Sequence, residues 1–347
     1  MAALRPLMLG DNRVPVYYAG GSNISAFRGN VGSATGPEDW VGSLSALPLS
    51  ILPPDSPADI GVSRTQGGSS LRDLVSADPA GWLGPRLASA FDGESGLLVK
   101  LLDAGERLPV HCHPSKPFAR QHLSSIFGKT EGWIIMHAEP DAKIWIGMRD
   151  GVDRSDLRRW IQTQNVTAML SAMNELVVQD GQVVYVPAGL PHSIGHGVML
   201  TELQEPTSFS VLADHSAFGV PADAATLGLG WDLALSCFDL AGYQERIAEL
   251  LPDPVLIGKL GGSRLERLFP RRADDFFRAI RVSCDGSIAL TDPSFAVVIV
   301  TTGLGQLSWG DGEIPVGRGD TLVVPWGAGQ IGFRGSLAAL VCLPPTP

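Results

Sequence analysis

Hydrophobic residues recur along much of the chain in short runs that are broken by glycine, proline or polar positions. Residues 97–102, 133–137, 143–147 and 183–186 are four such runs. Runs of this length, rich in Val, Ile and aromatic residues and closed by turn-forming residues, predict β-strands. The same pattern returns over residues 273–347. We therefore expect a mainly β protein in which two strand-rich regions each form a barrel.

Helix-forming patterns interrupt the strands. Asp153 can cap a helix that carries Leu157 and Ile161 on one face, and a second short helix follows it. We expect these two helices to form an insertion over about 150–174. The clearest helical pattern elsewhere is residues 243–251, which are rich in helix formers.

These patterns divide the chain into three parts. The predicted organisation is an N-terminal domain over 1–215, which contains the helical insertion, and a smaller C-terminal domain over 273–347. We interpret residues 216–272 as a helical connector between them. A chain of 347 residues is long enough for two such domains.

Composition and net charge indicate which class of binding partner to expect. The formal net charge is −10, and an acidic chain lacks the basic surface that a nucleic acid partner requires, so a small molecule is the better expectation. No run approaches the roughly 18 apolar residues of a membrane span, and no signal peptide is predicted, because charged residues interrupt the first twenty positions. The four cysteines are widely spaced and contain no CxxC pair, which favours a reducing, cytoplasmic location. These features predict no membrane partner, and they do not indicate an oligomeric state.

One arrangement of glycine, proline and a polar residue occurs twice with identical spacing, as Gly-x5-Pro-x-Gly-x2 followed by His or Gln. The first copy is Gly181, Pro187, Gly189 and His192, and the second is Gly319, Pro325, Gly327 and Gln330. A glycine turn would lead into a strand that ends at a Pro-x-Gly turn, after which the next side chain points into the barrel. Because glutamine replaces histidine in the second copy, we expect no metal ligands in the C-terminal domain.

The first copy has an upstream counterpart that contains two more histidines. Gly105 precedes His111 by five residues, and His113 follows two positions later, so both imidazoles are expected on the same face of a strand. Cys112 would then face the opposite, apolar side. These two motifs resemble those of the cupin superfamily, Gly-x5-His-x-His followed by Glu, and Gly-x5-Pro-x-Gly-x2-His. The resemblance implies two cupin, or jelly-roll, β-barrels.

A narrower resemblance is carried by residues 110–120 and 127–133, which contain HCHPSKPFA and GKTEGW. They resemble the class I mannose-6-phosphate isomerases, whose pattern is approximately QxHPxKxxA followed by GKxExW. The likeness covers about residues 95–212, including 187–195 and 202–204. Residues 37–40, Pro-Glu-Asp-Trp, also resemble an early acidic segment of that family.

The resemblance implies one divalent metal ion, usually Zn²⁺ with Fe, Mn, Co or Ni as the other candidates, and a sugar or sugar phosphate as substrate. The activity it implies is interconversion of mannose 6-phosphate and fructose 6-phosphate through a metal-stabilised enediolate. The positions that match the family's metal ligands are His111, His113, Glu131 and His192. Lys116, Lys129 and Glu202 are the candidates for proton transfer or substrate hydrogen bonding. For Lys100 the sequence leaves open whether it serves the site or a solvated surface.

Three departures from the family pattern bear on the substrate. His111 stands where the family usually has Gln, and imidazole is an equally good ligand. Leu212 stands where the family has an Arg implicated in catalysis, and no glycine-rich phosphate cradle is present. An unphosphorylated or differently shaped sugar is therefore also considered. The alternatives are a non-catalytic carbohydrate-binding bicupin, which Leu212 favours, and an Fe(II) cupin oxygenase that uses the same ligands.

Overall fold

The computed structural model describes residues 4–30, 36–48 and 57–347, which form a mainly β protein, so the predicted fold class is confirmed. The strands are β1 (Leu7–Leu9), β2 (Arg13–Val14), β3 (Glu38–Val41), β4 (Leu98–Asp103), β5 (His111–Cys112), β6 (Glu131–Ala138), β7 (Lys143–Met148), β8 (Met173–Val177), β9 (Val183–Val186), β10 (His192–Ile194), β11 (Val198–Gln204), β12 (Val211–Leu212), β13 (Val255–Leu260), β14 (Ser263–Arg267), β15 (Arg278–Leu290), β16 (Ala296–Trp309), β17 (Gly312–Gly317), β18 (Thr321–Val324) and β19 (Ile331–Leu343). The α-helices are α1 (Asn23–Arg28), α2 (Leu71–Ala77), α3 (Pro79–Leu83), α4 (Pro85–Ala90), α5 (Lys116–His122), α6 (Arg154–Thr163), α7 (Val166–Ser171), α8 (Ala222–Ala225) and α9 (Gly230–Ala234). None of these helices is long and apolar enough to cross a membrane.

Two antiparallel sheets form the first barrel. One has the strand order β2-β3-β4-β11-β6-β9 and the other the order β12-β5-β10-β7-β8. Trp133, Ile144, Ile146 and Leu200 are buried together between them. Side chains alternate between the two faces of each strand, so every second residue of β6 and β11 points into this barrel and the others point out.

The second barrel is built on a single eight-stranded sheet of order β1-β18-β16-β19-β15-β14-β13, with β17 paired to β16. Strand β1 is therefore separated from its sheet neighbours by almost the whole chain. Its register on β18 pairs Leu7 with Val323 and Leu9 with Thr321. The N-terminal segment thus completes the C-terminal sheet.

A shared hydrophobic core joins the two barrels. Leu101 and Ile134 from the outer face of the first barrel belong to the same buried cluster as Ile299 and Leu340 of the second. Burial of this many aliphatic side chains, each contributing about 1.5 to 3 kcal/mol, makes the contact a major source of stability.

The outer face of strand β6 contacts this shared core at Gly132. A Cβ atom at Gly132 would lie 2.6 Å from ring carbons of Phe269, whose ring packs edge-on against Phe277 with centroids 5.2 Å apart. Only a residue without a side chain allows the strand that begins with Glu131 to approach these rings so closely.

The helical insertion follows the predicted pattern. The Asp153 carboxylate caps α6 by accepting hydrogen bonds from two backbone N–H groups of the first turn, at 2.7 and 2.9 Å. Leu157 and Ile161 are the buried residues of that helix, and they cluster with Met169 of α7.

The expected helical connector over 216–272 differs from the structure. Helices in this stretch are short, and the predicted helix over 243–251 is reduced to a 3-10 turn, Ile247–Leu250. N–H groups in this segment bond three residues back, Arg246 to the carbonyl of Tyr243 at 3.0 Å and Glu249 to that of Arg246 at 2.9 Å, so successive turns form instead of an α-helix. Beyond the prolines at 252 and 254, which disfavour a helix, β13 and β14 extend the C-terminal sheet.

Candidate metal centre and active site

Two neighbouring strands bring three histidines together. His111 on β5 and His192 on β10 are directly paired, so their side chains point to the same face, and His113 follows two residues after His111. The ring centroids are 4.1 Å apart for His111 and His192, and 4.9 Å for each of the other two pairs. One ligand atom from each residue lies within 4.8 Å of the others, and all three side chains are buried.

The same type of hydrogen bond orients each imidazole. Every Nδ1 atom lies 2.8 Å from a backbone carbonyl oxygen; the three pairs are His111 with Pro109, His113 with Phe209, and His192 with Leu190. A carbonyl can only accept, so Nδ1 carries the proton and Nε2 presents its lone pair to the centre of the group. The buried Nε2 of His192 has no hydrogen-bond partner among the described residues.

Burial keeps these imidazoles neutral. It lowers the pKa of all three, and it brings the pKa of His113 to about 3, although the adjacent Glu131 carboxylate acts in the opposite direction. Neutral, preoriented imidazoles with an unsatisfied buried nitrogen are what a divalent metal ion requires. The donor set therefore fits such an ion.

Glu131, the first residue of β6, borders the three imidazoles. Its Oε1 atom is 2.8 Å from Nε2 of His113, and its Oε2 atom is 3.6 Å from Nε2 of His192. Trp133 donates its Nε1–H to the same Oε2 at 3.0 Å. Burial alone would raise the pKa of Glu131, but the positive charge of the adjacent Lys129 ammonium favours the carboxylate, and the pKa lies well below its usual range. The carboxylate is thus anionic and could serve as a fourth ligand.

The two candidate lysines occupy different environments. The ammonium of Lys129 is buried, 3.0 Å from Oε1 of Glu131 and 3.3 Å from Nε2 of His113. Lys116 Nζ donates instead to the backbone carbonyl of Asp275 at 2.7 Å and lies 3.7 Å from the Glu205 carboxylate. The structure thus brings Lys129, but not Lys116, into contact with the candidate ligands.

Glu202 on β11 is a buried acid beside the site. Burial, together with the neighbouring Glu131 carboxylate, raises the pKa of Glu202 to about 8. Its Oε2 atom lies 3.3 Å from Nζ of Lys100. A carboxyl group that titrates near neutrality can both donate and accept a proton under ordinary conditions.

Lys100 and Glu38 extend the polar cluster; the sequence analysis left the role of Lys100 open and noted Glu38 only as part of residues 37–40. Lys100 Nζ is buried, 3.3 Å from Glu38 and 3.3 Å from Glu202. Tyr18 donates its hydroxyl to Oε1 of Glu38 at 2.6 Å, and Trp40 donates its Nε1–H to Oε2 at 2.7 Å. One signal could have revealed Lys100: it is a lone cation within an apolar run whose other residues are all expected to be buried.

Leu212 lies beside the three histidines. It is paired directly with His111 across β12 and β5, so its side chain points to the same face as that imidazole, whereas Val211 and Cys112 share the opposite, apolar face. An aliphatic side chain at this place offers neither a charge nor a hydrogen bond to a bound molecule. In the second barrel, Gln330 is exposed immediately before β19.

Known proteins resemble this chain both in sequence and in fold. The mannose-6-phosphate isomerase ManA of Bacillus subtilis (strain 168) is 25% identical over 249 residues, which cover 71% of this chain and 74% of that protein. A mannose-6-phosphate isomerase of Streptococcus mutans serotype c is 25% identical over 244 residues, covering 66% and 68%. A crystal structure of the mannose 6-phosphate isomerase from Bacillus subtilis superposes with a TM-score of 0.74 at 20% identity, over 97% of this chain and 99% of that one. No family model matches the chain.

The two-barrel fold and these relatives support a carbohydrate isomerase built on the cupin architecture. More particularly, the sequence relatives and the solved structure with this fold are mannose-6-phosphate isomerases.

Proposed function

We propose that the protein is a metal-dependent aldose-ketose isomerase that interconverts mannose 6-phosphate and fructose 6-phosphate, or a closely related sugar. The arrangement that carries this proposal is the convergence of three neutral imidazoles beside buried Glu131, Lys129 and Glu202. The names of the sequence relatives suggest the substrate. The four buried, unpaired cysteines support a reducing, cytoplasmic setting.

One divalent metal ion would be held by Nε2 of His111, His113 and His192, with Glu131 as the fourth ligand. Three nitrogen donors and one oxygen donor suit Zn²⁺ best, and Fe, Mn, Co or Ni accept the same set. When bound, the ion supplies the positive charge that stabilises a sugar oxygen while the neighbouring carbon is deprotonated.

Side chains of the protein, and not the metal ion, would transfer the proton. Isomerisation removes a proton from C2 of the aldose and returns one to C1, so the carbonyl group passes from C1 to C2 without net oxidation. We assign this transfer to Glu202, because its pKa of about 8 allows both steps near neutral pH. Lys100 fixes the Glu202 carboxyl group, Lys129 offers a further hydrogen-bond donor, and Lys116 is assigned to substrate contact rather than proton transfer.

Proton NMR in D₂O tests the proposal directly. Metal-loaded protein is incubated with mannose, fructose and their 6-phosphates, and both interconversion and deuterium incorporation at C1 or C2 are followed. We expect turnover with deuterium incorporation, and the preference between free and phosphorylated sugar shows whether Leu212 has changed the substrate. Binding without conversion or exchange would contradict the isomerase and favour the carbohydrate-binding alternative.

A pair of histidine variants tests the site. His113→Ala should lose bound metal and activity together, because it removes one ligand from a buried set. His196→Ala removes an exposed imidazole outside the cluster and should change neither. Full metal content in His113→Ala, measured by elemental analysis, would contradict the ligand assignment.

A further inference from the structure

A cleft lies between the two barrels, on the side away from the three histidines. It is a cleft of about 440 Å³, a volume within the range of small-molecule sites. Ile134 and Met199 contribute to its apolar floor. They belong to β6 and β11, and they face outward from the strands whose inward-facing residues include Glu131 and Glu202.

Two arginines from the second barrel line this cleft without carboxylate partners. Arg281 Nη2 donates to the carbonyl of Gly181 at 2.8 Å. Arg318 Nη1 donates to the carbonyls of Ala26 and Phe27, each at 3.4 Å, and its guanidinium lies 5.3 Å from the centroid of the Phe27 ring. Neither guanidinium forms an ion pair within the described ranges 4–30, 36–48 and 57–347.

The remaining charged and titratable groups leave the cleft basic. Asp180 is the acid in its lining, and its Oδ1 already accepts the N–H of Ala138 at 2.8 Å. His137 adds an imidazole to the lining. Glu266 is the residue paired with Arg281 on the neighbouring strand, but no ion pair joins them. Two guanidinium groups, the half-buried Arg281 and the exposed Arg318, thus share this lining with a single acid.

We propose that this cleft is a binding site for a small metabolite that carries a phosphate or carboxylate group. Guanidinium groups pair with such oxyanions through two parallel hydrogen bonds, and Arg281 and Arg318 each retain free N–H groups for this purpose. The apolar floor would contact the rest of the molecule. The site is separate from the metal centre and does not depend on the proposed isomerase activity.

Calorimetric titration of the metal-loaded protein at low ionic strength tests this site, with inorganic phosphate in one series and malonate in the other. We expect saturable binding of at least one anion, and the better of the two identifies the oxyanion. Arg281→Ala and Arg318→Ala should each weaken that binding about tenfold or more, because each removes a charge-assisted pair. Arg264→Ala removes an exposed arginine from the same sheet, outside the cleft, and should leave the affinity within about twofold.

Phosphate could also bind at the metal centre, so the titration is repeated on His192→Ala protein and on wild-type protein treated with chelator. Binding that persists in these samples and is lost in the arginine variants supports the cleft. If an alanine variant does not fold, Arg281→Lys and Arg318→Lys replace it, because they keep the charge but lose the paired geometry. Absence of binding by both anions, equal affinity in all arginine variants, or binding that depends only on the metal centre would overturn the proposal.

Discussion

The ammonium group of Lys100 is held by two carboxylates inside the first barrel. Glu38 and Glu202 each lie 3.3 Å away, and the ring of Trp40 packs 5.4 Å from the charge. Burial disfavours the charged lysine, but the two carboxylates outweigh this effect and raise its pKa. The residue therefore stays protonated and fixes the position of the Glu202 carboxyl group.

Replacing Lys100 should lower both the stability and the activity of the protein. Lys100→Met leaves the buried Glu38 carboxylate without its cation and Glu202 without its polar partner, so we expect the free energy of unfolding to fall by about 3 kcal/mol. Isomerase activity should fall at the same time, because Glu202 loses the contact that orients it. Denaturant titration and the NMR assay measure the two effects.

Lys143→Met provides the comparison for that experiment. Lys143 has one carboxylate partner, Glu175, at 2.6 Å, and both side chains are exposed, so stability should change by no more than about 0.5 kcal/mol. Equal losses in the two variants would show that the buried position of Lys100 has no special energetic role.

The cysteines allow a pH-dependent prediction. All four are buried, and burial raises the pKa of each thiol, that of Cys237 to about 12. Because the thiolate is the reactive form, a raised pKa means less thiolate at every pH below it. Native protein at pH 8 should react with iodoacetamide at least about a hundredfold more slowly than unfolded protein, as counted by mass spectrometry. Rapid labelling of a native thiol would contradict this.

Strand β13 forms one edge of the C-terminal sheet and is unusual among the described strands in its exposure. Val255, Leu256, Ile257 and Leu260 are each more than half exposed, at 59, 54, 51 and 59%. An apolar edge with unpaired backbone groups is a typical starting point for aggregation. A register shift between Leu256 and Gly258 distorts the edge locally, which reduces such pairing.

A charge on this edge should improve solubility without affecting the fold. Leu256→Lys places an ammonium group at an exposed edge position, so we expect several-fold slower aggregation on heating with an unchanged Tm. Light scattering and calorimetry measure the two quantities. Leu265→Lys on β14 should lower the Tm instead, because Leu265 is buried in the core of the second barrel. Aggregation of Leu256→Lys at the wild-type rate would exclude β13 as the initiating edge.

Local sequence patterns predicted where individual strands and helices lie better than they predicted which elements contact one another. The strand over 98–103 and the capped helix α6 follow from hydrophobic runs and from Asp153, because these signals lie within the element itself. The predicted 243–251 helix was wrong, because this segment forms turns with bonds three residues back, and helix propensity does not report the tertiary contacts around it, such as that between Tyr243 and Met148. The contact between Lys100 and Glu38 has the same origin: β3 lies beside β4, which no single-strand pattern reveals.

At the scale of the whole molecule, the two barrels are interlocked rather than joined by a simple linker. Strand β1 belongs to the C-terminal sheet, and the shared core takes side chains such as Leu101 and Leu340 from both barrels. The first barrel therefore does not have a complete core and surface of its own, because the second barrel covers part of its outer face. The domain boundary at residue 215 stays a prediction.

Separating the barrels should unfold both. A fragment of residues 1–254 exposes one side of the shared core and leaves β1 without β18, so we expect it to be insoluble or to lack a cooperative thermal transition. Co-expression with residues 255–347 supplies the missing face and should restore a soluble complex. Size-exclusion chromatography and calorimetry test both outcomes. A cooperative, monomeric 1–254 fragment would show that the shared core is dispensable.

The position of β1 also affects how the chain is made. The hydroxyl of Thr321 and the carbonyl of Leu9 meet across a sequence separation of 312 residues. At about 5 to 20 residues per second, a ribosome needs on the order of 15 to 60 s to synthesise that interval. During this time β1 lacks β18, its partner in the finished sheet, although the barrel that contains the candidate metal ligands has already been synthesised. Strand β1 therefore waits for its sheet partner while the intervening residues are synthesised, and it is among the last of the described strands to be paired.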